Sequence, residues 1–584
     1  MFRIARCACV LLLLPIAMLA AGANAFVRHD LISDTPGVAA VTDPNLVNPW
    51  GIALSATSPF WVSNTGSGTA TVYNGSGAIL PLVVTIPAAA SGAKGTPTGQ
   101  VFNNTSSFLL ANGNKASFIF STEDGTISAW NGGSAASIQV NNSSSGAVYY
   151  GLAIGTNSAG GAQLYAPNFA SGKIEIYSGT WAPTTASSGF ADPAVPAGYA
   201  PFNIWPLAGK LYVAYAKQGP LSAVAGAGQG YVSVFDFDGN LVKHLISGAP
   251  LNAPWGMAIA PSTFGAFAGD LLVGNFGDGT INAFDPNTGA SLGTLEDTSG
   301  NPLVFPGLWA LVFGNGGTGG DRNTLYVTAG VGNLQHGLLS SIAPPATILS
   351  VVNGASFASG AVAPGEVITI SGITIGPSPG ATNAIPAVLG RVSTNLASMS
   401  VLFNYGNGGA ALAPVLYASA SQADVIVPYG LGGFSSANIV LNYGGRQLTM
   451  QVPVALSAPG IFTANASGSG QASALNPDGT VNSSTNPAPS GSIITLFATG
   501  QGPELPPGED GVVNDRVLRV PQLPVTLTIG GQTADVLYAG TAPGLVQGVM
   551  QVEAVIPSGL TGAVPVVLTV GSAGSQANVT INVQ

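Results

Sequence analysis

The pentapeptide Pro49-Trp50-Gly51-Ile52-Ala53 reads as a turn followed by a short apolar strand, and it decides the fold because it recurs along the first half of the chain. A close copy is Pro254-Trp255-Gly256-Met257-Ala258. Looser copies begin at Pro97, Tyr150, Pro201 and Pro306, so that the six leading residues are 48 to 53 residues apart. A period near 50 in strand-rich units is typical of β-propeller blades.

A second signature follows the first and reads strand, glycine-rich turn, strand. The segment from Trp61 to Tyr73 aligns without a gap with the segment from Leu272 to Phe284. Six four-stranded blades of about 50 residues account for this half of the chain. The sixth unit stops at Ile342 one strand short, whereas a strand from Val27 to Ser33 precedes the first unit. We therefore predict that this N-terminal strand completes the last blade and leaves no open sheet edge.

The repeat changes after the linker at residues 343–347. Gly365 to Gly372 returns as Gly491 to Ala498, and Val415 to Ala418 returns as Val536 to Ala539, at offsets of 126 and 121 residues. Two domains of this size with short alternating strands are typical of Ig-like β-sandwiches. We predict an all-β chain, a six-bladed β-propeller followed by two Ig-like β-sandwich domains. The expected boundaries are 1–25 for a signal peptide, 26–345 for the propeller, and 346–457 and 458–584 for the sandwiches.

The composition also favours strands and turns over helices. Charged residues make up only 7% of the 584 residues, and the chain contains 81 glycines and 42 prolines. Glycine and proline weaken helix interiors by roughly 1 and 3 kcal/mol per residue. The all-β prediction therefore does not depend on the repeats alone.

The first 25 residues have the pattern of a secretory signal peptide. Arg3 and Arg6 give a positive start, Val10 to Ala20 is apolar, and Ala23-Asn24-Ala25 is a small-residue cleavage site before Phe26. The apolar stretch is shorter than the ~20 residues that span a bilayer. We expect a secreted protein, extracellular or at the cell surface, with no membrane span in its mature chain.

The mature chain is expected to lack thiols and not to bind nucleic acid. Cys7 and Cys9 both lie in the predicted signal peptide, so no disulfide or cysteine nucleophile would remain after cleavage. The net charge is −10 at pH 7, and the lysines and arginines are scattered singly. Phosphate binding requires clustered basic residues.

We expect the mature protein to be a monomer.

Two runs, from Leu31 to Asp34 and from Thr42 to Ala53, resemble the opening of an uncharacterised family of secreted bacterial proteins that is similar in pattern to NHL-type six-bladed propellers. The resemblance covers residues 26–343. It implies a propeller fold and export, and no established activity.

The second half, residues 347–584, resembles an uncharacterised C-terminal β-sandwich domain family of secreted acidobacterial proteins. The matching segments are Val352 to Phe357, Ala458 to Phe462, Gln471 to Thr480 and Asn486-Pro487-Ala488. The resemblance implies a surface or extracellular module whose ligand is unknown.

One face of the predicted ring collects the polar and aromatic residues of the repeats. In a four-stranded meander, the turn that enters the first strand and the turn that joins the second strand to the third lie at the same edge. Around the central mouth we expect these ligand-binding candidates: Asn48, Trp50, Asn64, Thr98, Glu123, Asn168, Asn203, Trp255, Asn275, Trp309 and His336. Mixed aromatic and amide linings suit small polar ligands such as sugars.

A structural role competes with ligand binding at several of these positions. The three tryptophans recur at blade spacing, and repeated apolar positions are more often core, which favours packing between adjacent blades. The asparagines at 64, 168 and 275 precede glycine-rich turns. Asparagine commonly satisfies local backbone donors in such turns.

Metal and acid–base residues are few. Calcium-dependent lactonases also have six blades, with acidic and amide ligands in the channel, but here Glu123 is the main candidate acid, with Asp124 or Asp278 as helpers. Hard cations prefer several carboxylates or carbonyls. No Gly-x-Ser-x-Gly elbow accompanies His336. We expect no catalytic residues and no resident cofactor, with calcium as the alternative.

These observations favour a non-catalytic secreted binding or cell-surface interaction protein, whose propeller face recognises a glycan, a small polar ligand or a protein. One alternative is a lactonase-like hydrolase or lyase that uses a channel metal. Another is an extracellular matrix or adhesion component in which the sandwiches carry the interaction.

Overall fold

The computed structural model describes residues 24–186, 188–220, 222–377, 380–385, 389–513 and 517–584. The predicted signal peptide, with Cys7 and Cys9, lies outside these ranges except for its last two residues. The described chain is all-β, and its helical elements are the turn Val331–Leu334 and three 3-10 turns, Ser143–Ser145, Gly265–Phe267 and Tyr429–Leu431. Within the described ranges, no helix is long and apolar enough to cross a membrane.

The first half of the chain forms six sheets; the first five are antiparallel meanders in chain order, and the sixth joins three strands from the end of this half to two strands from its start. Two strands precede them, β1 (Val27–Ser33) and β2 (Val41–Thr42). Sheets 1 to 3 contain β3 (Pro49–Ala53), β4 (Phe60–Asn64), β5 (Thr69–Tyr73) and β6 (Ile79–Thr85); β7 (Pro97–Phe102), β8 (Phe118–Thr122), β9 (Thr126–Trp130) and β10 (Ser137–Asn141); and β11 (Ala153–Thr156), β12 (Ala162–Asn168), β13 (Lys173–Ser178) and β14 (Pro183–Thr184).

Sheets 4 to 6 continue the same pattern. They contain β15 (Tyr199–Leu207), β16 (Lys210–Gln218), β17 (Ala223–Val224), β18 (Tyr231–Phe235) and β19 (Leu241–Ser247); β20 (Pro254–Ile259), β21 (Leu271–Asn275), β22 (Ile281–Phe284) and β23 (Ser291–Thr294); and β24 (Leu308–Phe313), β25 (Leu325–Ala329) and β26 (Leu338–Ala343). In sheet 4, the short β17 pairs beside β16 and stands off the main strand order.

The first strands of the six sheets contact one another in a closed cycle, from β3 through β7, β11, β15, β20 and β24 back to β3. Their close approach explains the glycine of the repeated turn. A Cβ atom on Gly51 would lie 2.6 Å from the Thr98 carbonyl oxygen, and one on Gly256 would lie 2.3 Å from the Trp309 carbonyl oxygen. Glycine is therefore needed where neighbouring backbones come this near.

The N-terminal strand completes the sixth sheet, which confirms the pairing predicted from the sequence. β1 pairs antiparallel with β26, from Val27 opposite Ala343 to Ser33 opposite Leu338. Side chains reinforce the ladder, because Ser340 Oγ donates to Asp30 Oδ1 at 2.6 Å. The sixth sheet therefore takes strands from both ends of this half of the chain.

The second half begins with ten strands. They are β27 (Thr347–Asn353), β28 (Val367–Ile373), β29 (Ala381–Thr382), β30 (Gly390–Arg391), β31 (Ser400–Tyr405), β32 (Gly409–Leu412), β33 (Val415–Ala418), β34 (Gln422–Ile426), β35 (Ser436–Tyr443) and β36 (Arg446–Pro453). The sheets β27-β28-β34-β33-β29 and β32-β31-β35-β36 share one core, in which Ile368 and Ile370 of the first sheet join Phe403 and Ile439 of the second.

Ten of the remaining strands form a curled sheet with the order β37-β40-β46-β45-β44-β47-β49-β38, in which β39 pairs with β40 and β48 with β47, whereas β42 pairs with β30 and β41 with β43. The strands are β37 (Gly460–Ile461), β38 (Gly470–Gln471), β39 (Ala474–Leu475), β40 (Ile493–Thr499), β41 (Glu504–Leu505), β42 (Val512–Val513), β43 (Val520–Pro521), β44 (Val525–Ile529), β45 (Gln532–Thr541), β46 (Met550–Val555), β47 (Gly562–Val570), β48 (Ala573–Gly574) and β49 (Val579–Val583). The long strand β45 pairs with β44 at its start and with β46 further along, and it therefore connects the part of the curled sheet that contains β40 and β46 with the part that contains β44 and β47.

A buried carboxyl lies where the two parts of the second half meet. Glu366 is 1% exposed, and its carboxyl accepts hydrogen bonds from Asn353 Nδ2 at 2.7 Å and from the Ala363 amide at 2.6 Å. Asn353 Nδ2 also donates to the Ala458 carbonyl oxygen at 2.9 Å. Burial raises the pKa of Glu366 to about 8.

Candidate functional site

The aromatic candidates meet in the interior of the six-sheet half. The Trp50 and Trp309 rings stack with centroids 3.5 Å apart, and Trp255 meets them edge-on at 6.1 and 5.7 Å. Tyr150 stacks on Trp50 at 5.3 Å. All three tryptophans are at most 3% exposed. The open, tryptophan-lined mouth expected from the sequence is thus replaced by a packed aromatic centre, which corresponds to the competing structural role.

The polar candidates near this centre link neighbouring sheets. Thr98 Oγ1 donates to the Tyr149 carbonyl oxygen at 2.7 Å, and Asn203 Nδ2 donates to the Trp255 carbonyl oxygen at 2.8 Å. Asn48 Oδ1 accepts a hydrogen bond from Trp309 Nε1 at 3.2 Å. These three side chains are buried, and they tie the first strands together instead of facing solvent.

The three turn asparagines are held by side-chain hydrogen bonds and do not face solvent. Asn64 Nδ2 donates to Thr71 Oγ1 at 2.9 Å, and Asn275 Nδ2 donates to the Pro250 carbonyl oxygen at 2.9 Å. Asn168 differs, because its Nδ2 donates to the Glu175 carboxylate at 2.7 Å. Glu175 belongs to a peripheral group of residues that was not predicted from the sequence.

Glu123 and His336 are the candidates with solvent access. Burial, with a smaller contribution from the charge of Asp124, raises the pKa of Glu123 to about 7. His336 has a side chain 52% exposed, and its Nδ1 lies 2.9 Å from Asp34 Oδ2. These two side chains remain the accessible members of the predicted face.

The acids expected to assist Glu123 are engaged locally. Asp124 accepts a hydrogen bond from the Ala89 amide at 2.7 Å, and Asp278 accepts one from Asn252 Nδ2 at 3.0 Å. Among the residues that the structure describes, no group of three or more His, Cys, Asp or Glu side chains is arranged to hold a metal ion.

A polar cavity of about 610 Å³ lies beside β13 and β14 of sheet 3. Its lining includes Asn142, Lys173, Glu175, Tyr177 and Phe190. We call it the sheet 3 cavity. The sequence reasoning assigned it no role, because Asn142 and Phe190 lie in connections outside the repeated signatures.

The carboxylate of Glu175 organises the polar side of the sheet 3 cavity. It accepts hydrogen bonds from Tyr149 Oη, from Tyr177 Oη at 2.7 Å and from Asn142 Nδ2 at 3.2 Å, in addition to the bond from Asn168. Burial opposes ionisation, but these hydrogen bonds outweigh it and lower the pKa of Glu175. A fixed carboxylate therefore faces a cavity of ligand size at neutral pH.

Fold and site together define an all-β protein with a packed aromatic centre and a peripheral polar cavity. No family model matches the chain. The uncharacterized protein R648 of Acanthamoeba polyphaga mimivirus is 34% identical over 330 residues, which are 53% of this chain and 78% of that protein. The uncharacterized protein L690 of the same virus is 33% identical over 328 residues, 53% of this chain and 84% of that protein. The chain belongs to the family of these uncharacterised mimivirus proteins.

Solved structures give only weak likenesses. They include BBS1N in complex with ARL6DN, with a TM-score of 0.28 and 14% identity over 48% of this chain and 73% of that one. An exo-beta-1,3-galactanase from Phanerochaete chrysosporium has a TM-score of 0.25 and 12% identity over 74% and 93% of the chains. A putative 6-phosphogluconolactonase from Bacteroides uniformis has a TM-score of 0.20 and 11% identity over 59% and 95%. Scores this low carry no argument about function.

Proposed function

We propose that the first half is a six-bladed β-propeller and that the second half consists of two Ig-like β-sandwich domains. The closed cycle of contacts among the six first strands supports the propeller, since each blade of such a ring touches its two neighbours. The common order β27-β28-β34-β33 and β37-β40-β46-β45 supports two copies of one domain. We further propose export, on the pattern of residues 1–25.

The export proposal has a direct test. The residue that follows the predicted cleavage site is packed into the fold, because the Phe26 ring is 1% exposed and stacks on Phe264 at 4.7 Å. N-terminal sequencing of the protein from the culture medium is expected to begin at Phe26. An uncleaved N-terminus on protein retained in the cells would contradict it.

We propose that this protein is a binding protein for a small polar ligand, a glycan, which it takes up in the sheet 3 cavity. The observation that carries the proposal is the Glu175 carboxylate held by four donors at the edge of a cavity of about 610 Å³. Small-molecule sites typically enclose about 300–1,000 Å³. The sequence analysis favoured a glycan, a small polar ligand or a protein at the ring centre. The site proposed for the glycan lies instead at the periphery.

The lining supplies the groups that sugar recognition needs. Glu175 accepts hydroxyl donors and Lys173 supplies donors for sugar oxygens, while Asn142 holds the Glu175 carboxylate in place. Phe190, in the connection between sheets 3 and 4, adds an apolar surface to the lining. Apolar surface combined with a few fixed polar groups sets the orientation of a small ligand.

A glycan array probed with the full chain, followed by titration calorimetry on the best binder, tests this function. Lys173→Ala is expected to weaken binding about tenfold or more, since it removes a direct hydrogen bond of about 1.4 kcal/mol. Asn142→Ala is expected to weaken binding as well, since Glu175 loses one of the four donors that hold it. Lys210→Ala, at an exposed lysine of sheet 4, is the matched control and should bind as the native protein does. Unchanged affinity in both cavity variants would overturn the proposal.

A metal-assisted hydrolase acting at the ring face is the second candidate. It is favoured by Glu123, because a carboxyl with a pKa of about 7 can both give and take protons at neutral pH. Metal analysis of the purified protein and of Glu123→Ala separates the two functions. Stoichiometric calcium that is lost in the variant would favour the hydrolase over the binding protein.

A further inference from the structure

A chain of hydrogen bonds joins an aspartate, a histidine and a serine at the outer edge of sheet 4. His244 Nδ1 lies 2.6 Å from Asp192 Oδ2, and His244 Nε2 lies 2.6 Å from Ser247 Oγ. These are the contacts that a nucleophile, its base and an orienting carboxylate require. None of the three residues lines the sheet 3 cavity or belongs to the aromatic centre.

A β-bulge brings His244 and Ser247 to the same side of β19. Residues three apart face opposite sides of a regular strand. Here Ser247 pairs with Tyr231 and His244 pairs with Ser233, so that Leu245 is an extra residue in β19. Because Tyr231 and Ser233 are two apart in β18 and share a face, their partners share it too. Bulges commonly re-aim side chains at functional sites.

The aspartate fixes the proton arrangement of the histidine. The Asp192 side chain is 1% exposed and accepts hydrogen bonds from Ser233 Oγ at 2.5 Å and from the Ala194 amide at 2.9 Å. A carboxylate can only accept, so the proton on the histidine ring lies on Nδ1 and the lone pair on Nε2 faces the Ser247 hydroxyl. Ser247 is thereby next to a base that is ready to take its proton.

The serine is open to solvent and has an aromatic flank. Ser247 is exposed, and the His244 side chain is 22% exposed. The Tyr231 ring lies 5.9 Å from the His244 ring and meets the Tyr199 ring edge-on at 4.8 Å.

We propose that Ser247, His244 and Asp192 form an acyl-transfer site that hydrolyses small carboxylic esters. Ser247 Oγ forms a bond to the ester carbonyl carbon and gives its proton to His244 Nε2. The bond to the leaving alkoxide then breaks, and the alkoxide leaves as an alcohol with that proton. Water, deprotonated by His244, attacks the acyl-serine and releases the carboxylic acid and free Ser247. Asp192 is a positioning residue.

The full chain incubated with p-nitrophenyl acetate and with a fluorophosphonate probe tests this site. We expect ester turnover above the buffer rate, and peptide mass spectrometry should locate the probe on Ser247. Ser247→Ala should lose the probe and at least about 100-fold in kcat. Ser291→Ala is the matched control, because it removes an exposed hydroxyl from β23, the outer strand of sheet 5, and leaves the nucleophile, the base and Asp192 intact, so it should retain labelling.

Two further variants separate catalysis from a structural role. His244→Gln is expected to abolish labelling of an intact Ser247, and Asp192→Asn is expected to lower kcat with little change in KM. A network that only holds residues 188–198 onto sheet 4 would lower the thermal midpoint in these variants without any labelling of the native protein. Absence of probe on Ser247 in the native chain, or labelling that persists in His244→Gln, would overturn the proposal.

Discussion

Single residues of the repeated turn set the distance between neighbouring sheets. Gly51 lies against the first strand of the next sheet, with no room for a Cβ atom beside the Thr98 carbonyl oxygen. Trp50, one residue earlier, enters the aromatic centre and stacks on Trp309. The pair Trp-Gly therefore supplies a large side chain on one side and a close backbone contact on the other.

Replacing Gly51 by alanine is expected to destabilise the protein by about 1–3 kcal/mol, the usual cost of forcing extra atoms into a packed site. The backbone of Thr98 must shift, because it has no flexible end that can move aside. Chemical denaturation of the variant measures the loss. Gly574→Ala is the control, since a Cβ atom there meets nothing within 4 Å, and equal stability of the two variants would show that the close approach does not matter.

The Glu366 carboxyl makes the stability of the second half depend on pH. Its pKa of about 8 in the folded protein lies above the ordinary value, so the folded state holds a proton that the unfolded state releases. The contribution of Glu366 to the free energy of unfolding is therefore fully present at pH 4 and is lost as the pH rises through about 8. The loss is about 1.4 kcal/mol per unit of difference between the pKa of Glu366 in the folded and in the unfolded state.

Glu366→Gln should remove that part of the pH dependence. The variant loses one acceptor for the Ala363 amide and is expected to be less stable than the native protein at pH 5. The gap in the free energy of unfolding should shrink between pH 5 and pH 9, because only the native protein loses stability there. Denaturant titrations at both pH values measure it, and a constant gap would contradict the raised pKa.

At the scale of the element, β1 illustrates what pattern and counting predict. The sixth repeat lacks one strand, and a spare strand lies before the first repeat, so the pairing of Val27–Ser33 with β26 could be predicted from the sequence. The bulge in β19 could not be predicted, because the register shift at Leu245 depends on the partner strand. The same shift creates the contact between His244 and Ser247, and sequence reasoning therefore missed that site.

A chain that starts at Thr35 is expected to melt more than about 5 °C below a chain that starts at Phe26, because it loses β1 and its ladder with β26 in the sixth sheet. Thermal unfolding followed by circular dichroism measures the difference. A synthetic peptide of residues 26–34 should restore part of the midpoint by strand addition, whereas a scrambled peptide should not. Equal midpoints of the two chains would contradict closure by β1.

At the scale of the whole molecule, composition and repeats predicted the all-β class, but they did not predict what fills the space where the first strands meet. Six repeated turns, five of them with an aromatic residue, are compatible with either an open mouth or a packed centre. The choice depends on the distance between first strands, which glycines at 51, 99, 151 and 256 keep short. Short distances force the rings of Trp50, Tyr150, Trp255 and Trp309 into mutual contact.

Six sheets close around a packed aromatic centre, and ligand binding and chemistry are therefore expected at the periphery. A crystal structure of the mature chain tests it most directly. We predict six sheets with β1 in the sixth, and the Trp50 and Trp309 rings stacked with centroids about 3.5 Å apart. Five or seven sheets, or a solvent-filled channel between those two rings, would contradict it.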